Sequence, residues 1–243
     1  MENDESNEVV EDLLHGKLKI IQKKEGYRFS IDAILLANFA GTKKRDRIID
    51  LGTGCGVIPL VLSWKNPESH ITGLEIDRET AGMAKRSVEL NGLIQRITIV
   101  QGDVREIKAH VDVESFEIAL ANPPYGRPDS GRINPSDQKA AARHEISTSL
   151  DDFLSAAAYA VRYRGRIFII FPAKRLADLI TGLKNRGFEP KRMQLVHSRM
   201  GEKAKLVLME GIKRGGAEME VLAPLYIYDR EGNYTPEIKK MYK

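Results

Sequence analysis

Hydrophobic and polar positions change rhythm repeatedly along the chain. Behind Ser30, a good N-cap residue, Ile31, Ile34, Leu35 and Phe39 recur at helical spacing and predict a helix ending near Gly41. Arg47 to Leu51 is instead a short apolar run holding one acid, the pattern of a strand buried on both faces. A helix is expected over Val57 to Lys65, with Pro59 tolerated in its first turn and Pro67 beyond its end. Ile71 to Ile76 reads as a second strand. Asp77 caps a helix that runs to about Leu90 and stops at Asn91-Gly92.

The alternation continues through the second half. Ile97 to Val100 and Phe116 to Ala121 are strands, and Arg166 to Phe171 is another. Ser149 and Asp152 have capping-box spacing ahead of a helix with Phe153, Leu154, Ala157 and Val161 on one face. Ala173 to Arg186 carries Leu176, Leu179, Ile180 and Leu183 inward and ends at Gly187. Met193 to His197 and Lys205 to Met209 follow with no helical stripe between them, so an antiparallel pair closes the sheet. Strands alternating with helices require right-handed crossovers and an α/β sandwich of mostly parallel strands. Residues 126 to 148 have little periodicity and form a long polar loop.

Composition narrows the class. With 243 residues, 42% hydrophobic and 30% charged, the chain can bury one large core. Residues 13–243 are therefore read as a single domain with a short N-terminal helical extension. No apolar run approaches the roughly 18 residues of a membrane span, and no basic-then-apolar leader follows Met1. One cysteine, Cys55, allows neither an intrachain disulfide nor a multi-cysteine zinc site, and no histidine cluster has ligand spacing. A cytoplasmic protein without a metal is expected, and no obligate protein partner is evident. The first twelve residues hold six acids and no Lys or Arg, and are read as a disordered tail. Against a net charge of +4, the rest of the chain carries +10, which suits a polyanionic partner.

Two stretches carry the candidate chemistry. The first is Asp50-Leu51-Gly52-Thr53-Gly54-Cys55-Gly56, where the first buried strand turns into a helix. Glycines there permit a tight turn and let a ligand approach bare amides. Their GxGxG spacing, with Val57 next, is not the GxGxxG of dinucleotide folds. Glu75 ends the following strand, where an acid can accept both hydroxyls of a ribose. Asp103 follows the third and can accept from the exocyclic amine of an adenine. With these residues the chain resembles the class I S-adenosylmethionine-dependent methyltransferases. The resemblance implies a Rossmann-like, mostly parallel seven-stranded sheet with an antiparallel closing strand. It also implies that Asp50, Gly52, Gly54 and Gly56 hold the amino-acid part of S-adenosylmethionine, Glu75 the ribose and Asp103 the adenine. Cys55 is a small turn residue.

The second stretch is Asn122-Pro123-Pro124-Tyr125, at the end of the fourth strand. An amine conjugated to a ring has its lone pair delocalised and poorly aimed at an incoming methyl group. Two acceptors, the Asn122 side-chain oxygen and the Pro123 carbonyl, can grip its N–H bonds and stabilise the charge that develops. Proline fixes the backbone carrying that carbonyl, and Tyr125 offers a ring on which a planar base can stack. The tetrapeptide resembles the (N/D)PP(Y/F) signature of amino-nitrogen methyltransferases, which act on adenine, guanine or protein glutamine. Asn122 in that family also borders the cofactor.

Together with Gly26 to Ala37 and Ala142-Arg143-His144-Glu145, the signature resembles bacterial enzymes that methylate N6 of the adenosine 3′ of the anticodon in valine tRNA. That resemblance implies tRNA as partner, position 37 as target, and Pro124, Arg143 and His144 near the substrate. Arg28 and Asp32 either line the cofactor pocket or make a salt bridge or helix cap. Basic residues at Arg127, Arg132, Lys139 and Arg143, and at Lys191, Arg192, Arg199, Lys203 and Lys205, are candidates for phosphate. Two alternatives stand beside this reading: methylation of a glutamine N5 in a translation factor, and a non-catalytic module that binds S-adenosylmethionine or RNA.

Overall fold

In a computed structural model, which describes residues 7–24, 30–125 and 148–243, the β-strands predicted from apolar runs assemble side by side, and four strands that were not predicted accompany them. The strands are β1 (Glu8–Leu13), β2 (Leu18–Lys23), β3 (Arg47–Leu51), β4 (His70–Glu75), β5 (Ile97–Gln101), β6 (Phe116–Ala121), β7 (Val161–Pro172), β8 (Phe188–His197), β9 (Ala204–Lys213), β10 (Glu220–Val221) and β11 (Leu225–Tyr226). The helices are α1 (Ile31–Phe39), α2 (Val57–Lys65), α3 (Arg78–Leu90), α4 (Leu150–Ala160), α5 (Leu176–Asn185) and α6 (Pro236–Met241).

The main sheet runs β8-β9-β7-β6-β3-β4-β5, and β9 alone is antiparallel to its neighbours. This is the expected Rossmann-like order of seven strands. Two short strands that have no apolar run of their own, β10 and β11, add to the outer side of β8 and make nine. Strand alternation sends Ile48 to one face and Ile49 and Leu51 to the other. Each face has its own core, one under α1, α2 and α3, the other under α4 and α5. Chain order reverses between β3 and β6, which opens a crevice at their carboxyl ends where ligands of such sheets bind.

The caps fall where the side chains dictate. Ser30 caps α1, Asp77 caps α3, and Ser149 with Asp152 forms a complete capping box on α4. One expectation is corrected. Residues 8–12, assigned to a disordered tail, lie in β1, which pairs with β2 as a hairpin. Their acids have partners: Glu8 binds Arg86 at 2.6 Å and Asp12 binds Lys19 at 2.9 Å. Leu13, Leu18 and Ile20 meanwhile bury against the core. The N-terminal extension is thus a hairpin followed by a helix, and Glu8, Glu11 and Asp12 belong to the first strand of that hairpin.

Candidate active site

At the carboxyl end of β3 the chain turns sharply through Gly52, Gly54 and Gly56, with φ of 72°, 58° and 90°. These are left-handed values that glycine adopts without a Cβ penalty. The turn is tied to β4, because Leu74 O accepts from the amides of Gly52 at 2.8 Å and Thr53 at 2.9 Å. A Cβ at Gly52 would lie 3.1 Å from Phe153 Cε1, whereas one at Gly54 would meet nothing within 4 Å. The loop is packed from behind by α4 and open in front.

In front of it lies a cavity of about 460 Å³. It is bordered by Gly52 to Cys55 after β3, Glu75 to Asp77 after β4, Asn122 to Tyr125 after β6, and Ser30, Asp32 and Ala33 from α1. Glu75 is held rigidly. Its Oε2 accepts from the Gly54 amide at 2.9 Å, and its Oε1 from the Asp77 amide at 2.9 Å. Burial pushes the carboxyl up from its ordinary range, and these two amides oppose the shift. Each oxygen keeps a further lone pair for a hydroxyl donor.

Asp50 takes a different position from the one expected. It does not border the cavity; it lies fully buried behind the glycine turn, where Thr53 Oγ1 donates to its Oδ2 at 2.6 Å. Its Oδ1 has no hydrogen-bond partner, and burial pushes the carboxyl up to about 7. The acid ends an apolar strand, so its side chain goes inward with its neighbours. Asp103 is also outside the cavity lining. It caps the short helix Val104–Ala109 and is clamped by Arg105, whose Nε lies 2.8 Å from Oδ2, and this pair holds its carboxyl below the usual range. Gly56 serves as the N-cap of α2 rather than as a wall. Cys55 is buried, which pushes its thiol up to about 12 and makes it a poor nucleophile at neutral pH.

At the opposite wall, Asn122, Pro123, Pro124 and Tyr125 all border the cavity. The Tyr125 hydroxyl donates to Asp32 Oδ2 at 2.7 Å and lies 2.9 Å from Asn122 Oδ1. Its ring stands edge-on to Phe171, with centroids 6.4 Å apart, and the Arg175 guanidinium sits 4.7 Å over that Phe171 ring. Asp32 thus borders the cavity. Arg28, Arg127, Arg132, Lys139, Arg143 and His144 lie outside the described residues.

The basic candidates divide. Lys191 donates to the carbonyls of Ala217 and Glu218, and Arg192 binds the Phe39 carbonyl and Glu210, so both are engaged in the fold. Arg199, Lys203 and Lys205 sit in or beside the turn from β8 to β9. Register places that turn at the same sheet edge as the end of β7. Sequence patterning named Thr53, Asp77 and Phe153 only as turn, cap and helix-face residues, and all three border the cavity.

An open sheet with its glycine turn, strand-end acid and Asn-Pro-Pro-Tyr at one crevice defines a class I methyltransferase. The model of the methyltransferase small domain family matches residues 30–175, and the chain belongs to that family. It is an S-adenosylmethionine-dependent N-methyltransferase. A relative from Histophilus somni, named tRNA1(Val) (adenine(37)-N6)-methyltransferase, is 30% identical over 91% of each chain. One of the same name from Dyadobacter fermentans is 27% identical over 87% of each. Among solved structures, a predicted O-methyltransferase from Agrobacterium tumefaciens superposes with a TM-score of 0.71 at 25% identity, covering 87% of this chain and 95% of that one. Among the described residues no group of acids, histidines and cysteine could hold a metal, and no helix is long and apolar enough to cross a membrane.

Proposed function

We infer that this enzyme methylates N6 of an adenine in RNA, with adenosine 37 of valine tRNA as its substrate, and that it works in the cytoplasm. The observation that carries the reading is Asn122-Pro123-Pro124-Tyr125 sharing one cavity with Glu75 and the glycine turn. Two relatives whose names specify that substrate, matched over most of their length, support it.

The fit of S-adenosylmethionine rests on particular atoms. Gly54 leaves open space, Glu75 offers free lone pairs to a ribose, and the cavity is large enough for a nucleoside with its tail. When bound, the cofactor supplies an electrophilic methyl group. The remaining tasks fall to the chain. Asn122 and the Pro123 carbonyl accept from the adenine amine, turn its nitrogen out of the ring plane and stabilise the positive charge arising there. Tyr125 stacks on the base. The methylated amine is acidic enough to pass its proton to water, so no strong base is needed. A base in an anticodon loop must turn outward to enter, at a cost of a few kcal/mol. Lys174, Arg175, Arg199, Lys203 and Lys205, at the same edge, can hold the flanking phosphates.

The test is incubation with methyl-labelled S-adenosylmethionine and unmodified tRNA, followed by mass spectrometry of nucleosides. Labelled N6-methyladenosine is expected. Label in a peptide glutamine instead would establish the alternative substrate, and binding of both ligands without transfer would establish a non-catalytic module.

A further inference from the structure

Among the described residues, Met200 is the most exposed of the large apolar side chains, at 69%. It lies in the short segment that joins β8 to β9. The Glu202 amide donates to the Arg199 carbonyl at 3.2 Å and Gly201 has a φ of 84°, the marks of a type II turn with Met200 at its apex. The turn is braced from below. His197 Nδ1 donates to the Glu202 carbonyl, 2.8 Å away, and the Arg199 guanidinium sits 5.8 Å over the Tyr228 ring. A methionine held out into water by such a turn adds little to the core.

Its place in the fold gives it a use. β8 and β6 are three strand spacings apart, about 14 Å, and both end at the edge where the cavity opens. Leu206 of β9 pairs with Pro172, the last residue of β7, so β9 and the turn continue past that strand and stand at the rim. Arg199, Lys203 and Lys205 are exposed around Met200, against one acid in the turn, Glu202, 4.0 Å from Arg199. An RNA loop whose phosphates rest on these cations brings its stacked bases against the apex. A base that turns outward leaves a gap in the stack, and an apolar side chain inserted there offsets the lost stacking. Methionine suits that gap, being unbranched, without a hydrogen-bond donor, and with a polarisable sulfur that packs on aromatic faces.

We propose that Met200 is a wedge that enters the anticodon-loop stack as the target adenine swings into the cavity. It fills the vacated place and holds the adenine outward, while the cations around it position the loop. This inference rests on the proposed adenine substrate in RNA and deepens it, by assigning a residue to the step before methyl transfer.

The test uses valine tRNA carrying 2-aminopurine at position 37, whose fluorescence rises when the base leaves the stack. With S-adenosylhomocysteine present, wild-type protein should raise the signal severalfold, Met200→Ala less than half as much, and Met200→Leu nearly as much as wild type. In single-turnover assays on natural tRNA, Met200→Ala should be slower by roughly tenfold, with cofactor Kd within about twofold and tRNA Kd within about threefold, since the phosphate contacts remain. An abasic residue at position 38 removes a stacking neighbour in advance, so on that tRNA the two proteins should differ by less than about twofold. A full rate and a full fluorescence rise in Met200→Ala overturn the wedge, as does a rate loss that the abasic tRNA leaves unchanged. In either case a wild type that methylates adenosine 37 keeps the substrate reading. A wild type that methylates no RNA defeats that reading and the wedge together.

Discussion

Replacing Glu75 with glutamine changes one atom and tests the cofactor end of the site. Both carboxylate oxygens already accept a backbone N–H at 2.9 Å, from Gly54 and from Asp77. Glutamine has one oxygen, so whichever way it turns, its NH2 group faces one of those amides, donor against donor. Losing that bond and leaving a buried donor unpaired costs about 1–3 kcal/mol. In the free protein this is partly offset, because the burial that pushes the Glu75 carboxyl up also penalises its charge, and glutamine removes the charge. Binding has no such offset. A ribose hydroxyl loses a charge-assisted acceptor, and the Gly54 turn that frames the cavity loses its anchor. Cofactor affinity should therefore fall by about 1.5–3 kcal/mol, roughly tenfold to a hundredfold. Calorimetric titration of S-adenosylmethionine into wild type and Glu75→Gln reads the loss directly, with a denaturation midpoint shifted much less. Equal affinities would remove Glu75 from the cofactor site.

Other perturbations separate the remaining parts. Asp50→Asn should stabilise the ligand-free protein above neutrality: with its carboxyl pushed from 3.8 to about 7 by burial, the folded state holds a proton that the unfolded state releases. Wild-type stability from this group is thus fully present below about pH 4 and declines until about pH 7, by at most about 4 kcal/mol, whereas the variant lacks that decline; denaturant titrations at pH 5 and pH 8 compare the two, and identical pH dependence would refute the assignment. Asn122→Ala should reduce the single-turnover rate on the order of 100-fold with cofactor Kd near wild type, since its bond strengthens as charge develops on the amine; a full rate would reduce the tetrapeptide to a turn. RNA affinity should fall with salt at a log–log slope of about −0.7 per single-stranded phosphate neutralised, and a flat response in a filter-binding series would return the edge cations to ordinary surface.

The parallel half of the fold was legible because buried strands are short apolar runs and their helices carry strong caps. Val57–Lys65 and Phe116–Ala121 match their predicted bounds, and Asp77 and Ser149 cap as their spacing indicates. The N-terminal hairpin was hidden because local charge density says nothing of partners far along the chain; Arg86 is 78 residues from Glu8. The same limit applies within the site. A strand-end acid can turn toward the crevice, as Glu75 does, or into the core, as Asp50 does, and sequence position alone does not distinguish them. Asp103 likewise has its clamp two residues on, but only the fold shows Arg105 curling back over it. The Asn-Pro-Pro-Tyr wall was recognisable from residue types, whereas the approach of Asp32 to Tyr125 spans 93 residues and emerges only from the packing of α1 against β7.

The proposed reaction is methyl transfer to one amine on one nucleotide. Two valine tRNA transcripts, one natural and one with adenosine 37 replaced by guanosine, should be incubated with the wild-type enzyme and methyl-labelled S-adenosylmethionine. Nucleoside mass spectrometry should find labelled N6-methyladenosine in the natural transcript, approaching one methyl group per molecule, and none above background in the other. Equal labelling of both transcripts, or label on any atom other than an adenine N6, would contradict the account.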